Sequence, residues 1–132
     1  MARTSVGNGG ADRRRDLGCR GEEAAARWYE RSGYEIVSRN WRCGLGEIDL
    51  VVVDPRGAVV FCEVKTRAQT AFGCPEEAVT PSKQRRLRRL AAEWLSLHRG
   101  TGGSARPVRF DVAAVTVDRS QGLVVELVHD AF

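Results

Sequence analysis

An aspartate and a Glu-x-Lys triplet lie on two β-branched runs of the chain that are joined by a short turn sequence. Asp49 belongs to the first run, Glu63 and Lys65 belong to the second, and residues 54–57, Asp-Pro-Arg-Gly, lie between them. Such a sequence favours a turn because Asp bonds its own backbone, Pro fixes φ and Gly tolerates a positive φ. Val- and Ile-rich runs of strand length on both sides of it predict a β-hairpin.

The register of this hairpin decides whether the two acids meet. If residues 55–57 form the loop, Asp49 lies directly opposite Glu63, with Cβ atoms about 4.5–5.5 Å apart on one face of the sheet. A two-residue loop would shift the pairing by one residue and set Asp49 opposite Cys62. We expect the loop of odd length, which brings both carboxylates to the same face.

Two carboxylates this close repel each other and are costly to bury unless a cation joins them. A hard divalent cation with oxygen ligands suits this position, and Lys65 adds a positive charge further along the same face. An acid pair that binds a metal beside a lysine is suited to phosphodiester chemistry. A plainer interpretation stays open, in which Glu47 opposes Lys65 and the two form an exposed ion pair on a solvated sheet face.

A helix is predicted before the hairpin, over residues 16–32, with Gly33 in the C′ position. Its apolar stripe consists of Leu17, Ala24, Ala25, Trp28 and Tyr29. Gly18 and Gly21 each weaken a helix by up to about 1 kcal/mol relative to Ala, so their presence indicates a close approach to a neighbouring sheet or a ligand. Glu22 lies one turn beyond Gly18, and its position alone indicates a solvated first-turn acid that the helix dipole favours.

The remaining elements complete a mixed α/β pattern. A strand over residues 34–41 precedes the hairpin, and a long loop over residues 66–81 follows it. A second helix begins with a Thr80-Pro81 cap and buries a stripe of Leu87, Leu90, Ala91, Trp94 and Leu95. With strands over 108–117 and 123–128, the order is αβββαββ. The first three strands form an antiparallel meander, and a right-handed crossover through the second helix brings the fourth strand parallel to the third or its neighbour.

The second helix also carries a cluster of positively charged residues. Its cations are Lys83, Arg85, Arg86, Arg88 and Arg89, and its only acid is Glu93. A solvated helix face normally mixes both signs, so this pattern indicates a phosphate-binding surface. The net charge of +4 and the pI near 9.2 also favour an anionic partner such as nucleic acid. Arg39 and Arg42 flank Trp41, which either meets a nucleic-acid strand or is a buried Trp between surface arginines.

The composition predicts one globular domain. The 132 residues, 42% of them hydrophobic, suit a single core, and we expect a disordered basic arm over residues 1–15 before a domain over residues 16–132. The four cysteines have no Cys-x-x-Cys spacing, which favours reduced thiols over a zinc site. Because no apolar run reaches the ~18 residues of a membrane span and no signal-peptide core is present, we expect a cytoplasmic protein.

The element order, the acid on the second strand and the Glu-x-Lys triplet on the third resemble the PD-(D/E)xK nuclease superfamily, in particular archaeal Holliday-junction resolvases. A closer resemblance is to one bacterial family, the YraN-like proteins, uncharacterised protein family 0102. It is carried by Gly21-Glu22, Gly33-Tyr34, Asn40-Trp41-Arg42, Gly46-Glu47-Ile48-Asp49-Leu50, Phe61-Cys62-Glu63-Val64-Lys65-Thr66-Arg67, Phe72-Gly73, Pro75 and Glu77-Ala78-Val79. The resemblance extends from residue 16 to residue 117.

This resemblance implies a restriction-endonuclease-like αβββαβ core with one additional C-terminal strand. It also implies an endonuclease activity that the family name records as inferred rather than established. The superfamily's active positions correspond to Asp49, Glu63, Lys65 and Glu22. Asp49, Glu63, the Val64 carbonyl and Glu22 would hold Mg²⁺ or Mn²⁺, and Lys65 would orient the attacking water or stabilise developing charge. Cys62 stands where the motif usually carries an aliphatic residue.

The predicted function is therefore a Mg²⁺-dependent nuclease acting on structured or branched DNA, with no membrane partner and with a homodimer left open. Nucleic-acid contacts are expected from Lys83, Arg85, Arg86, Arg89, Arg42 and Arg67. Two alternatives stay open: a nucleic-acid-binding module without turnover, and a scaffold whose basic helix binds an acidic protein. Metal-dependent cleavage separates the nuclease from the binding module, and a steep salt dependence separates nucleic-acid binding from protein binding.

Overall fold

The described chain forms two helices and five strands. The computed structural model describes residues 9–68, 79–98, 106–118, 120 and 122–132. Its elements are α1 (Gly9–Arg31), β1 (Glu35–Cys43), β2 (Gly46–Val53), β3 (Val59–Ala68), α2 (Pro81–Leu97), β4 (Val108–Asp118) and β5 (Gly122–Val128). The order αβββαββ confirms the predicted αβββαβ core with an additional C-terminal strand.

All five strands form one mixed sheet in the order β1-β2-β3-β4-β5. The first three strands are the predicted antiparallel meander. β4 runs parallel to β3, with Val59 paired to Val108 and Ala68 paired to Val117, as the crossover through α2 requires. β5 returns antiparallel to β4 and forms one edge of the sheet.

Each helix covers one apolar cluster of the sheet. α1 contributes Ala25, Ala26 and Tyr29 to a cluster with Leu50, Val52, Val60 and Cys62. α2 contributes Leu87, Leu90, Ala91 and Trp94 to a cluster with Val51, Phe61 and Val112. Neighbouring strand residues supply different clusters because side chains alternate between the two faces of a sheet. Neither helix, within the described part of the chain, combines the length and apolarity needed to cross a bilayer.

Two helix ends follow from local sequence signals. Gly33 adopts a φ of 89°, which a glycine accommodates without strain. Its N–H donates to the Glu30 carbonyl, and α1 ends there as predicted for a glycine in the C′ position. At the other helix, the Thr80 hydroxyl accepts a hydrogen bond of 3.3 Å from the Lys83 N–H, and Pro81 is the first helical residue. Both caps are confirmed.

Three predicted boundaries are wrong. α1 begins at Gly9 rather than at residue 16, because Ala and Arg in this segment are strong helix formers. Residues 9–15 of the predicted disordered arm are therefore helical, and residues 1–8 lie outside the described chain. β1 continues to Cys43 because its pairing with β2 persists up to the turn. β3 extends to Ala68, into the predicted loop, because β4 pairs with it there; residues 69–78 lie outside the description.

Candidate active site at the fork of the sheet

The hairpin register sets Asp49 and Glu63 at opposite positions. Hydrogen bonds of the turn close a three-residue loop over residues 55–57, and Leu50 pairs with Cys62. One further residue in the same register places Asp49 opposite Glu63. The predicted odd-length loop is confirmed, and the alternative register with Asp49 opposite Cys62 is wrong.

β2 and β3 separate where the acids lie. The pairing of these strands ends at Leu50 and Cys62, and beyond that point β2 pairs with β1 while β3 pairs with β4. A continued ladder would bond the Val64 N–H to the carbonyl of Ile48. The Val64 N–H instead donates to Oδ2 of Asp49 at 2.8 Å. A carboxylate thus replaces a backbone carbonyl at the fork of the sheet.

Lys65 forms an ion pair with Glu63 at this fork. Its Nζ lies 3.1 Å from Oε2 of Glu63, and the two side chains are only 28% and 17% exposed. Glu47 pairs with Arg42 across β1 and β2 at 2.9 Å. The exposed Glu47–Lys65 pair is therefore the wrong interpretation, and the lysine belongs to the acid cluster.

α1 brings a third acid to the fork through a glycine contact. Gly21 is buried against Thr66 of β3, where any Cβ atom would overlap the Thr66 hydroxyl. This confirms the close approach predicted for Gly21. Gly18 has no such neighbour within 4 Å among the described residues, so the predicted close approach to the sheet is wrong there.

The next residue of α1, Glu22, lies beside Asn40 of β1. With its amide nitrogen turned toward the acid, Asn40 donates to both carboxylate oxygens of Glu22 at 3.2 and 3.3 Å. Asn40 adopts a φ of 49°, a left-handed conformation that Asn tolerates better than most residues. Glu22 is partly buried rather than solvated, because the glycine contact draws its turn of the helix onto the sheet. We refer to Glu22, Asp49, Glu63 and Lys65 as the fork cluster.

Two acids of the fork cluster, Asp49 and Glu22, have a raised pKa, and burial is the largest cause for both. Burial, reinforced by the charge of Glu63, raises the pKa of Asp49 to about 7, and the hydrogen bond from Val64 offsets only part of this shift. Burial also raises the pKa of Glu22, against the hydrogen bond from Asn40. Carboxyl groups perturbed by burial and by like charge are typical of functional sites.

The donor atoms of the fork cluster are chemically suited to a hard divalent cation. They are carboxylate oxygens with a backbone carbonyl nearby, and they carry an excess of negative charge. As the side chains stand, no three His, Cys, Asp or Glu residues of the described chain are grouped closely enough to hold a metal ion. In this arrangement, Lys65 supplies the positive charge that meets Glu63.

The first turns of α2 lie beside the fork cluster. The charge of Lys65 lowers the pKa of Lys83, so the two ammonium groups are neighbours. The Arg86 side chain approaches Gly46 at the start of β2. Arg85, Arg86 and Arg89 are all exposed. The predicted basic surface is therefore present on α2 and begins at the acids.

The remaining cations differ in their surroundings. The guanidinium of Arg88 lies over the Phe110 ring at 5.0 Å from its centroid, so this arginine packs on the core instead of extending the basic surface. Arg42 is exposed but paired with Glu47, and Arg67 lies half-buried on β3. Trp41 packs against the α2 cluster, which favours the buried-Trp interpretation.

A buried carboxylate on β4 was not predicted from the sequence. Asp111 is fully buried and accepts hydrogen bonds from the Tyr29 hydroxyl at 2.8 Å, the Arg109 guanidinium at 2.8 and 3.0 Å and the Asp130 N–H at 3.1 Å. His129 Nδ1 also lies 2.9 Å away. Burial alone would raise the pKa of Asp111, but these bonds, led by those of Arg109, hold it below its usual value.

The Asp111 network is structural, because its bonded partners within the described chain satisfy the buried charge. It ties α1 to β4 and to the residues that follow β5. A signal for it exists in the sequence: Asp111 is an acid within an apolar strand, next to Arg109, and a buried charge requires a partner.

The fold defines the class: a mixed α/β protein in which two helices flank a five-stranded sheet. The chain belongs to Uncharacterised protein family UPF0102, whose model matches residues 21–115. The resemblance to the YraN-like family is thereby confirmed.

Curated relatives match over most of their length. A UPF0102 protein of Beutenbergia cavernae is 53% identical over 110 residues, which cover 83% of this chain and 90% of that protein. A UPF0102 protein of Rhodococcus jostii is 48% identical over 116 residues, covering 88% of this chain and 95% of that protein.

Two solved structures are distant likenesses of the fold. The first, of an EndoMS-dsDNA2 complex, is 15% identical with a TM-score of 0.37, over 83% of this chain and 37% of that one. The second, of Pyrococcus furiosus SfsA in complex with Ca²⁺, is 14% identical with a TM-score of 0.36, over 85% of this chain and 62% of that one.

Proposed function

We propose that this protein is a metal-dependent endonuclease that hydrolyses phosphodiester bonds, with structured or branched DNA as its substrate. The observation that carries this proposal is the fork cluster. Its core is an Asp49 carboxylate oriented by the Val64 N–H and set opposite a Glu63 that is paired with Lys65. Acids that can hold a cation, beside a lysine, can activate water and stabilise the charge that develops in phosphodiester hydrolysis.

The contrast between the buried Asp111 and the half-buried Asp49 supports a functional origin of the cluster. The hydrogen bonds of Asp111 lower its pKa, so its ionised form stabilises the fold. Burial, together with the charges of Glu63, Glu22 and Glu47, raises the pKa of Asp49 to about 7. At neutral pH this crowding costs stability. This arrangement of acids does not stabilise the fold, but it would favour the binding of a cation. It is therefore better explained by function.

The proposed cofactor is Mg²⁺ or Mn²⁺. Asp49, Glu63, the Val64 carbonyl and Glu22 would hold it, because hard cations prefer oxygen donors. When bound, the cation would lower the pKa of a water molecule and neutralise charge on the phosphate oxygens.

The remaining groups of the site position and balance these donors. The Val64 N–H fixes the orientation of the Asp49 carboxylate, and Asn40 does the same for Glu22. Lys65 is held at Glu63 by an ion pair of 3.1 Å. Released from that pair, its ammonium group would orient the attacking water or stabilise the charge on the phosphate.

The basic surface of α2 would hold the nucleic acid beside these groups. Lys83 neighbours Lys65, and Arg85, Arg86 and Arg89 continue the positive charge along the exposed face of the helix. Contacts of this kind bind phosphates and fix the position of the substrate without reading its sequence.

A binding module without turnover is the second candidate function. The Lys65–Glu63 ion pair favours this candidate, because the lysine already neutralises the Glu63 carboxylate that a metal cation would otherwise neutralise. In such a module the basic surface of α2 would bind nucleic acid, and the fork cluster would carry no reaction.

Cleavage assays separate the two candidates. Duplex, single-stranded, flap and four-way DNA are incubated with the wild-type protein in Mg²⁺ or Mn²⁺, beside Asp49→Asn and the exposed control Glu30→Gln. Cleavage by the wild type and Glu30→Gln, but not by Asp49→Asn, supports the nuclease. DNA binding without cleavage of any substrate supports the module. Cleavage that persists in Asp49→Asn would come from a contaminant or from another site and contradicts the assignment.

A further inference from the structure

A groove of about 510 Å³ lies between the outer face of α1 and β5, apart from the fork cluster. Its lining comprises Arg20, Glu23, Ala24, Arg27, Trp28 and Arg31 of α1 with Leu123 and Val125 of β5. We call this the α1–β5 groove. It combines three arginines, one aromatic ring and the apolar side chains of an edge strand.

The helical period places this groove and the fork cluster on different sides of α1. Arg20, Arg27 and Arg31 are separated by whole turns and share one side of the helix, whereas Glu22 follows Arg20 by two residues and is rotated by about 200° from it. Arg20 and Arg31 lie about 16 Å apart along the axis at 1.5 Å per residue. That length corresponds to about five of the 3.4 Å axial steps between phosphates along one strand of duplex DNA.

The groove is positively charged despite containing Glu23. This acid is paired with Arg39 of β1 at 2.6 Å and with Arg27 at 3.3 Å, and the hydrogen bond from Arg39 lowers its pKa. Because Arg39 compensates Glu23 from outside the groove, the three lining arginines leave an excess of positive charge. Among the described residues, no acid forms an ion pair with Arg20 or Arg31.

The aromatic member of the groove is held in a fixed orientation. Trp28 packs its ring against Tyr29 and His129, with centroid distances of 5.4 and 5.6 Å. Leu123 and Val125 lie on β5, which among the described strands pairs with β4 alone and so stands at the edge of the sheet. The groove therefore offers preformed apolar surface between guanidinium groups.

We propose that the α1–β5 groove binds a single-stranded segment of nucleic acid. Guanidinium groups contact the phosphates of such a segment, and aromatic and apolar side chains receive its unpaired bases. A duplex presents mainly phosphates and sugars, so it would leave the apolar lining without a partner. The inference deepens the proposed nuclease function, since it gives the substrate a single-stranded part on the other side of α1 from the part that is cut.

The test is a binding experiment, so it can be read whether or not the protein cleaves. The double variant Arg20→Gln/Arg31→Gln is compared with Arg56→Gln/Arg106→Gln, which removes the same charge from exposed positions near the hairpin loop. A fluorescent thymidine oligonucleotide and a blunt duplex are titrated in Ca²⁺ at several salt concentrations. Thermal melting checks that both variants fold, and sedimentation gives their oligomeric state.

The groove variant is expected to lose about tenfold or more in affinity for the oligonucleotide. Its salt dependence should flatten by about 1.4 units, or about 0.7 for each lost phosphate contact on a single strand. The duplex affinity of the groove variant and both affinities of the control variant should stay within about twofold of wild type. An unchanged oligonucleotide affinity, or an equal loss for the duplex, overturns the proposal. A changed oligomeric state at unchanged affinity overturns it in favour of a second copy of the chain as occupant.

Discussion

The backbone N–H of Val64 on β3 donates to the Asp49 carboxylate on β2 at 2.8 Å. This bond occupies the position where an uninterrupted ladder would use a backbone carbonyl of β2, and it marks the point at which the two strands part. The carboxylate is therefore built into the sheet, and its oxygens are held where β2 and β3 diverge. The consequences of this placement for Asp49 can be measured without any substrate.

Replacing Asp49 with Asn should change how stability depends on pH. The pKa of Asp49 is about 7 in the folded protein, against 3.8 for the free group. The folded state therefore holds its proton more tightly than the unfolded state, and the wild type loses stability as the pH rises from about 4 to about 7. Asn keeps an oxygen for the Val64 N–H without the charge, so the variant should be more stable at pH 8 by on the order of a few kcal/mol. Thermal melting at pH 4 and pH 8 without divalent ions measures this.

Asp54 on the same hairpin provides a control of opposite sign. Its pKa is lowered, first by the hydrogen bond from the Ala58 N–H, so its ionised form stabilises the fold above the unfolded pKa and this contribution is lost as the pH falls. Asp54→Asn should therefore be less stable than wild type at pH 8. If both variants shift stability in the same direction at pH 8, the raised pKa of Asp49 is not the cause.

Gly21→Ala and Gly18→Ala should have opposite effects on stability. A Cβ at residue 21 would overlap the Thr66 hydroxyl, whereas a Cβ at residue 18 meets no described atom within 4 Å. Gly18→Ala should therefore raise the free energy of unfolding by up to about 1 kcal/mol through helix propensity. Gly21→Ala should lower it by about 1–3 kcal/mol through overpacking. Denaturant titration measures both, and Thr66→Ala should relieve part of the Gly21→Ala loss. Equal gains in the two alanine variants would contradict the close contact.

The parts of this fold that sequence predicts are those controlled by short-range rules. The turn at residues 54–57 sets an odd loop, and the loop sets Asp49 opposite Glu63. The apolar stripe of α2 and its Thr80 cap likewise follow from local periodicity and hydrogen bonding. The turn and the cap are each determined by a few neighbouring residues. The apolar stripe is determined by its helical period of 3.6 residues.

What the sequence could not predict depends on residues far apart in the chain. Asn40 meets Glu22 because a bulge and a turn bring β1 beside α1, and neither position carries a local signal for the other. The sequence left two places open for Lys65, beside the acids of the hairpin or in an exposed pair with Glu47. The fork separates the strands of Glu47 and Lys65 and leaves Glu63 as the partner. The network around Asp111 joins Tyr29 to Asp111 across 82 residues of sequence.

The Asp111 network predicts that removing the hydroxyl group of Tyr29 costs more stability than removing that of Tyr34. The hydroxyl of Tyr29 donates to the buried Asp111 carboxylate at 2.8 Å, and Tyr29 is fully buried. Tyr29→Phe should cost about 1.5–3 kcal/mol, the range for a hydrogen bond to a charged group. Tyr34→Phe removes a half-exposed acceptor of the Arg109 guanidinium and should cost about 0.5–1.5 kcal/mol. Urea unfolding gives both values, and a larger cost for Tyr34→Phe would show that Asp111 does not depend on Tyr29.

The exposed arginines of α2 should set the salt dependence of DNA binding. Replacing Arg85, Arg86 and Arg89 with Ala removes up to three phosphate contacts, so the salt dependence of duplex affinity should flatten by about 0.9 units per contact. Stability should change by less than about 0.5 kcal/mol per site, because these side chains are exposed. Arg88→Ala is the matched control on the same helix: its guanidinium lies over Phe110, so it should lower stability and leave the salt dependence unchanged. If the salt dependence of duplex affinity in the triple variant is the same as in wild type, the binding surface lies elsewhere.

Lys65 and Lys83 are neighbouring ammonium groups that should separate catalysis from binding. Lys65 pairs with Glu63 at 3.1 Å, whereas Lys83 lies on the first turn of α2 beside Lys65. If Lys65 acts on the water or the phosphate, Lys65→Ala should reduce cleavage by the ~10²–10⁴-fold typical of a positioned catalytic group, with little change in DNA affinity. Lys83→Ala should weaken DNA binding and flatten its salt dependence by about one unit, while cleavage at saturating DNA stays near the wild-type rate. Single-turnover cleavage in Mg²⁺ or Mn²⁺, with DNA binding in Ca²⁺, measures both quantities on both variants.

If Lys65→Ala cleaves at the wild-type rate, this lysine has no part in the mechanism. A loss of cleavage in Lys83→Ala equal to that in Lys65→Ala would instead show that the two ammonium groups act together at the phosphate.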